Sequence, residues 1–311
     1  MTVAASASNL PLSQRLATQG IAAILAVKPL WNIAKSQARG MMIKRAERLG
    51  VPWRETVGRF EATDLKSYWD AVVNPDLDYP KYYQASFHGY DQGHLCWPAA
   101  FEFEVAAQAV HSSLFPEAGA GGDRRLRQSY HDVLLAQLPQ APQKILDLHC
   151  TVGLSAFFLQ ETYPQAEITG LSFSPHYVTV AHYLGQQGQK DLTWVHALPE
   201  ATGLPAQSFD LVSAFLLFHE MPQDGTRKIF REVRRLLKPG GSFTLMDMNP
   251  RSQAYLTMPP YVMTLLKSTE PFMDQYFALD LEAELLGAGF DRVTITPNSP
   301  RHRTVIAQVA A

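Results

Sequence analysis

The sequence predicts an α/β protein, a doubly wound and mostly parallel sheet carrying an N-terminal helical extension. Two observations predict it. Beyond about residue 140, short apolar runs of strand length alternate with amphipathic stretches of helix length, the pattern of a parallel sheet covered on both faces. Between Leu12 and Leu49, by contrast, apolar residues recur at helical spacing only. The 311 residues suffice for one large domain plus an appendage, and 46% hydrophobic with 18% charged residues is an ordinary globular balance.

In order along the chain, Pro29 opens a second helix after a break in the first helical stretch. Residues 74–98 are rich in aromatics, Pro and Gly and predict irregular structure covering something. Residues 102–114 predict a helix, and 116–123 (PEAGAGGD) a linker. We therefore place a cap region at 1–125 and the α/β domain at 126–311. Strands are expected at 144–148, 167–171, 192–195, 209–215 and 242–248, and two more near 291–296 and 304–309. Helices are expected to about Tyr163, over 175–186 with Ser174 as N-cap and Pro175 at the first position, over 224–237, and over 279–286.

Four segments then carry a resemblance. Ile145-Leu-Asp-Leu-His-Cys-Thr-Val-Gly153 ends a strand in a glycine-motif position. Thr169-Gly-Leu-Ser-Phe-Ser-Pro175, Leu204-Pro205 with Ser208-Phe209-Asp210, and Leu237-Lys-Pro-Gly-Gly241 follow at matching distances. Together they resemble the class I S-adenosylmethionine-dependent methyltransferases over about residues 140–311. The resemblance implies a Rossmann-like seven-stranded sheet, its last strand antiparallel. It also implies S-adenosylmethionine at the carboxyl ends of the first strands, near Asp147, His149, Thr151, Gly153, Ser172, Phe173, Leu198 and Phe215.

Within that motif the chain departs from the family. His149 and Thr151 stand where the first two glycines belong, and Ser172 replaces the acid that pairs with both ribose hydroxyls. A β-branched residue is a poor fit to left-handed backbone, so a different loop geometry is expected. One hydroxyl cannot accept as a charged fork does, and its loss predicts cofactor affinity at least about tenfold weaker than in a typical relative.

His219, in Phe218-His-Glu-Met-Pro222, should lie at the end of the fourth strand, as a general base or as part of a turn. In the aromatic stretch, Tyr83, His88, Tyr90 and Trp97 are candidate substrate contacts, with Asp91 and His94 as further polar anchors; a packing layer is the other reading. Residues 255–277 are expected to join that stretch over the pocket. No helix shows a histidine pair at ligand spacing, so no metal is expected.

The net charge of −2 argues against nucleic acid as a partner. It is unevenly spread: Arg15, Lys28, Lys35, Arg39, Lys44, Arg45 and Arg48 against Glu47 give residues 1–50 a charge of +6, leaving −8 for the rest. Residues 10–50 are therefore expected to contact anionic lipid surfaces and to be dispensable for folding, against the alternative of a helix docked on the core. Two cysteines, Cys96 and Cys150, give no disulfide framework and suit a reducing compartment, a cytoplasmic location with membrane association or organelle targeting as alternatives. Two functions follow: methyl transfer from S-adenosylmethionine to a small, apolar or aromatic molecule, or a methyltransferase-derived binding or regulatory protein that has lost the cofactor.

Overall fold

The computed structural model describes residues 12–311. The first helices are α1 (Leu12–Ala26), α2 (Lys28–Arg48), α3 (Trp53–Glu61), α4 (Lys66–Val72), α5 (Trp97–His111) and α6 (Gly122–Gln137). There follow β1 (Lys144–Asp147), α7 (Leu154–Thr162), β2 (Glu167–Ser172), α8 (Pro175–Gln187), β3 (Thr193–His196) and β4 (Phe209–Phe215). The chain continues through α9 (Gln223–Leu236), β5 (Leu237–Met248), α10 (Gln253–Leu256), α11 (Pro260–Thr269), α12 (Met273–Phe277) and α13 (Leu281–Gly287). It ends on β6 (Arg292–Pro297) and β7 (His302–Gln308).

The seven strands form one sheet in the order β3-β2-β1-β4-β5-β7-β6, with β7 antiparallel to both neighbours and β1 to β5 mutually parallel. The period of two along the strands explains both covering layers. Ile145, Leu211, Phe215 and Met246 pack with residues of α6 and α7, while Leu146, Val212, Ala214 and Leu245 pack against α9 and α13. The α9 side of this contact is a stripe at helical spacing, Ile229, Phe230, Val233 and Leu236, all fully buried. Ser174 caps α8 as expected, its Oγ accepting from Tyr177 N at 3.2 Å.

The expected boundary at 125 falls inside α6, which packs on α5 and α7 and reaches the sheet. Tyr130 Oη lies 2.8 Å from Ser213 Oγ and 2.6 Å from Thr244 Oγ1 on adjacent strands. What looked like a linker is a pair of short helical turns over Pro116–Gly121, kinked at Gly119, running into that helix. The basic N-terminal helices are docked. Ile43 and Ala46 of α2 are buried with Trp53, Val105 and Ala109, and α1 lies against α11. Arg39 pairs with the buried Glu102, and Lys35 Nζ lies 2.7 Å from Asp91. Among the described residues, no helix is long and apolar enough to cross a membrane.

Residues 79–97 cross the carboxyl ends of the strands. Tyr79 Oη donates to Phe173 O, just past β2, and lies 2.8 Å from His196 Nε2 at the end of β3. The end of α11 meets the same stretch, where His88 N donates to Thr269 O at 3.1 Å. The aromatic stretch and the 255–277 segment, the latter largely helical through α11 and α12, thus converge over the strand ends.

Candidate functional site

The site begins at the end of β1. Asp147 is fully buried and accepts from Ser155 Oγ at 2.5 Å; burial pushes its carboxyl up to about 7. The chain then turns through Leu148 to Gly153, anchored by Cys150 N on Leu171 O at 2.9 Å. Gly153 has φ +92, and a Cβ there would meet the Phe157 and Trp194 rings at 2.9–3.0 Å, so a side chain is doubly excluded. Thr151 also has φ 51, with its Oγ1 donating to Cys150 O at 2.7 Å. The expectation of a different loop geometry is therefore corrected. The left-handed turn survives a β-branched residue, at a cost of about 1–3 kcal/mol that the buried surroundings sustain.

Into the space this turn frames, the chain inserts its own side chains. The His149 imidazole stacks on the Phe173 ring, with centroids 5.9 Å apart and planes at 3°. His94, from the 79–97 segment, lies over both, its Nδ1 2.8 Å from Tyr177 Oη. Past β4, a 3-10 turn at Phe218–Glu220 brings Glu220 beneath them. Its Oε2 lies 3.0 Å from His94 Nε2 and 3.9 Å from His149 Nε2, and its Oε1 lies 3.9 Å from His219 Nε2.

Asp247 of β5 fixes that turn. Its Oδ2 accepts from Phe218 N and His219 N at 2.7 and 3.2 Å, and its Oδ1 lies 2.8 Å from His219 Nδ1. Glu270, at the end of α11, completes the group: its Oε1 lies 3.0 Å from His88 Nε2 and its Oε2 3.9 Å from His219 Nε2.

The charges follow from burial set against neighbours. Burial holds His149 down to about 4. Burial acts the same way on His219, but Asp247, then Glu270 and Glu220, lift it to about 10. Burial would raise Glu220, yet His94, His149 and His219 hold it well below the usual carboxylate range. His88 is raised, Glu270 outweighing desolvation.

Of the residues expected at the site, His88, His149 and His219 meet in this cluster, and Tyr83 packs on Phe173 at its edge while donating to Glu200 at 2.6 Å. Tyr90 does not join them; its hydroxyl donates to Glu102. Trp97 packs with Trp69, Phe101 and His176. Phe215 faces α6, against Tyr130 and under the Arg127 guanidinium. Leu198 sits in the apolar core beside Phe173. Glu270 and Asp247 had no motif to mark them. The expectation of no metal rested on spacing within single helices, whereas here ligand-type residues arrive from separate segments.

The family's cofactor is S-adenosylmethionine, and in this structure the chain's own side chains take up the space at the turn after β1. Ser172 Oγ accepts from Ser174 N at 3.1 Å, which commits one of its lone pairs to the chain's own turn. His149, Thr151 and Phe173 are each 5% exposed or less. The residual cavity beside them, lined by Tyr83, Phe87 and Glu220, has about 250 Å³ including its solvent mouth.

A family model described as a methyltransferase domain matches residues 145–241. An uncharacterized methyltransferase of Synechocystis sp. is 34% identical over 172 residues, 55% of this chain and 76% of that protein. A demethylmenaquinone methyltransferase of Thermus thermophilus is 29% identical over 130 residues, 42% of this chain and 57% of its own length. A solved structure from Nostoc punctiforme, assigned to the O-methyltransferases, matches with a TM-score of 0.55 at 15% identity, covering 85% of this chain and 72% of that one. The CurJ carbon methyltransferase matches with a TM-score of 0.53 at 16% identity, covering 89% and 71%. These structural likenesses bear on the fold alone. The sheet order, the motifs in sequence and the Synechocystis relative agree, and the chain belongs to the class I S-adenosylmethionine-dependent methyltransferase family.

Proposed function

We propose that this chain is a rebuilt member of its family. It acts on or binds a small, apolar or aromatic molecule at the histidine–carboxylate cluster, without S-adenosylmethionine seated in the family's manner. The observation that carries the reading is the stack of His149 on Phe173 beneath His94, which fills the space between the turn after β1 and the end of β2. Calorimetric titration with S-adenosylmethionine and S-adenosylhomocysteine is expected to give no saturable heat at micromolar cofactor. Micromolar binding by the unaltered chain would overturn the reading.

A second reading is favoured by the His219–Asp247 pair and by the left-handed turn kept at Thr151 and Gly153. Here the protein methylates an oxygen of a small quinol- or phenol-like acceptor. Relatives named as demethylmenaquinone methyltransferase and, in Xanthomonas oryzae, as ubiquinone biosynthesis O-methyltransferase lend it a substrate class. It requires residues 79–97 to leave the cleft. Transfer of isotope-labelled methyl to a demethylated quinol would establish it.

A further inference from the structure

We propose that the cluster is a binding site for one divalent transition-metal ion of the zinc or iron(II) type. His88, His94, His149 and His219 would supply imidazole Nε2 atoms, and Glu220 and Glu270 carboxylate oxygens. The inference deepens the reading of a rebuilt cleft, since it names what the inserted side chains gather around.

Three observations carry it. The first is spacing. Ligand atoms about 2.1 Å from a common ion stand roughly 3.0–4.2 Å apart, according to the angle they subtend at it. The five histidine–carboxylate separations are 3.0, 3.0, 3.9, 3.9 and 3.9 Å. Two overlapping sets, His88 with His219 and Glu270, and His88 with His94 and Glu220, have their ligand atoms mutually within 4.8 Å.

The second is lack of satisfaction. His94 Nε2, both nitrogens of His149, Glu220 Oε2 and Glu270 Oε2 are buried without a hydrogen-bond partner, although His94 Nε2 and Glu220 Oε2 lie only 3.0 Å apart. Buried polar atoms left so are costly, and five within one cluster call for a further partner. A metal ion meets that need for imidazole nitrogen and carboxylate oxygen at once.

The third is the layer behind. The far nitrogen of His219 is held by Asp247 at 2.8 Å, and that of His94 lies 2.8 Å from the Tyr177 hydroxyl. Metal-bound histidines are oriented in this way, through the second ring nitrogen. The access route is also present, because His88 is 40% exposed at its side chain while the others are 7% or less.

The test uses the full chain, stripped with a chelator and titrated with Zn²⁺ by calorimetry and with Co²⁺ by absorption. One ion per chain is expected, with micromolar or tighter affinity, a raised Tm, and a Co²⁺ spectrum of nitrogen–oxygen ligation. His94→Gln and His149→Gln should each weaken binding by at least about tenfold. Asp247→Asn should weaken it by roughly 10- to 100-fold through misorientation of His219. His182→Gln, outside the cluster, should leave it unchanged. Circular dichroism of the metal-free variants separates lost ligation from lost folding, and Tyr177→Phe, which removes only a hydroxyl, gives a milder second probe. Absence of stoichiometric binding would overturn the site, as would binding that His94→Gln and His149→Gln leave intact. Titrating S-adenosylmethionine into metal-free and metal-loaded chains keeps the two readings apart. A chain that binds neither ion nor cofactor sinks the metal site alone, and one that binds the cofactor sinks the rebuilt cleft.

Discussion

His149 lies parallel to Phe173, the two rings from different strand ends offset with centroids 5.9 Å apart across the gap where the family's cofactor crosses from the turn after β1 to the end of β2. Restoring His149→Gly, Thr151→Gly and Ser172→Asp should reopen that gap. A charged acceptor for the ribose is worth about 1.5–3 kcal/mol, or roughly 10- to 100-fold in affinity. The triple variant should therefore gain measurable affinity for S-adenosylmethionine by calorimetry, with each single change contributing less. An unaltered chain that already binds tightly and loses affinity on restoration would show a site adapted to these residues.

Tyr130 ties three elements together through one hydroxyl, reaching Ser213 on β4 and Thr244 on β5 from α6. All three oxygens are buried. Tyr130→Phe keeps the ring and strands two hydroxyls, so urea unfolding should show a loss of about 1–3 kcal/mol. A change within about 0.5 kcal/mol would mean that the hydroxyls re-pair with each other or with water.

The sheet was legible because its signals are local. Ile145–Asp147 and Phe209–Phe215 are apolar runs of strand length, and Ser174-Pro175 marks a helix start by its own chemistry. The cluster was legible only in pieces. His88, His94, His219 and Glu220 stood out as residues, and residues 255–277 were expected over the pocket, but nothing local singled out Glu270 within that segment. Thr151 misled for a physical reason: propensity disfavours left-handed backbone at a β-branched residue, and the packed turn overrides it. Trp97 and Tyr90 misled because aromatic density marks a packing layer as readily as a pocket.

His131 gives the stability a pH dependence away from the cluster. It is buried, its Nδ1 is 2.7 Å from Thr162 Oγ1, and burial, reinforced by Arg127, holds it down to about 4. Above about pH 6.5 the ring is neutral in both folded and unfolded chains and contributes nothing to the slope. Below it the unfolded chain takes up the proton first, so stability falls as pH drops from about 6.5 toward 4, by roughly 3 kcal/mol for this group. His131→Gln should lose less stability than the unaltered chain between pH 7 and 5 in parallel urea titrations. Identical slopes would refute the assignment.

The basic N-terminal helices should prove structural. Glu102 is 1% exposed, and its carboxylate is met by the Arg39 guanidinium and the Tyr90 hydroxyl. Removing Arg39 leaves a buried charge with only a neutral donor, a change that costs about 3–5 kcal/mol where a buried pair is broken; partial exposure of Arg39, at 53%, lowers that toward about 1–3 kcal/mol. A chain starting at Val51 loses this partner and also uncovers Trp53, Val105 and Ala109, which pack on Ile43 and Ala46. It should therefore unfold at markedly lower urea than Arg39→Ala, which in turn should fall below the unaltered chain. Glu102→Gln combined with Arg39→Ala should recover part of the loss, because the stranded charge goes with its partner. Vesicle co-sedimentation supplies the contrast: with Lys35 and Arg39 engaged on the protein, full-length and Val51-start chains should sediment alike with anionic vesicles. Salt-sensitive binding by the full chain alone, together with undiminished stability of the truncated one, would return these helices to the lipid surface.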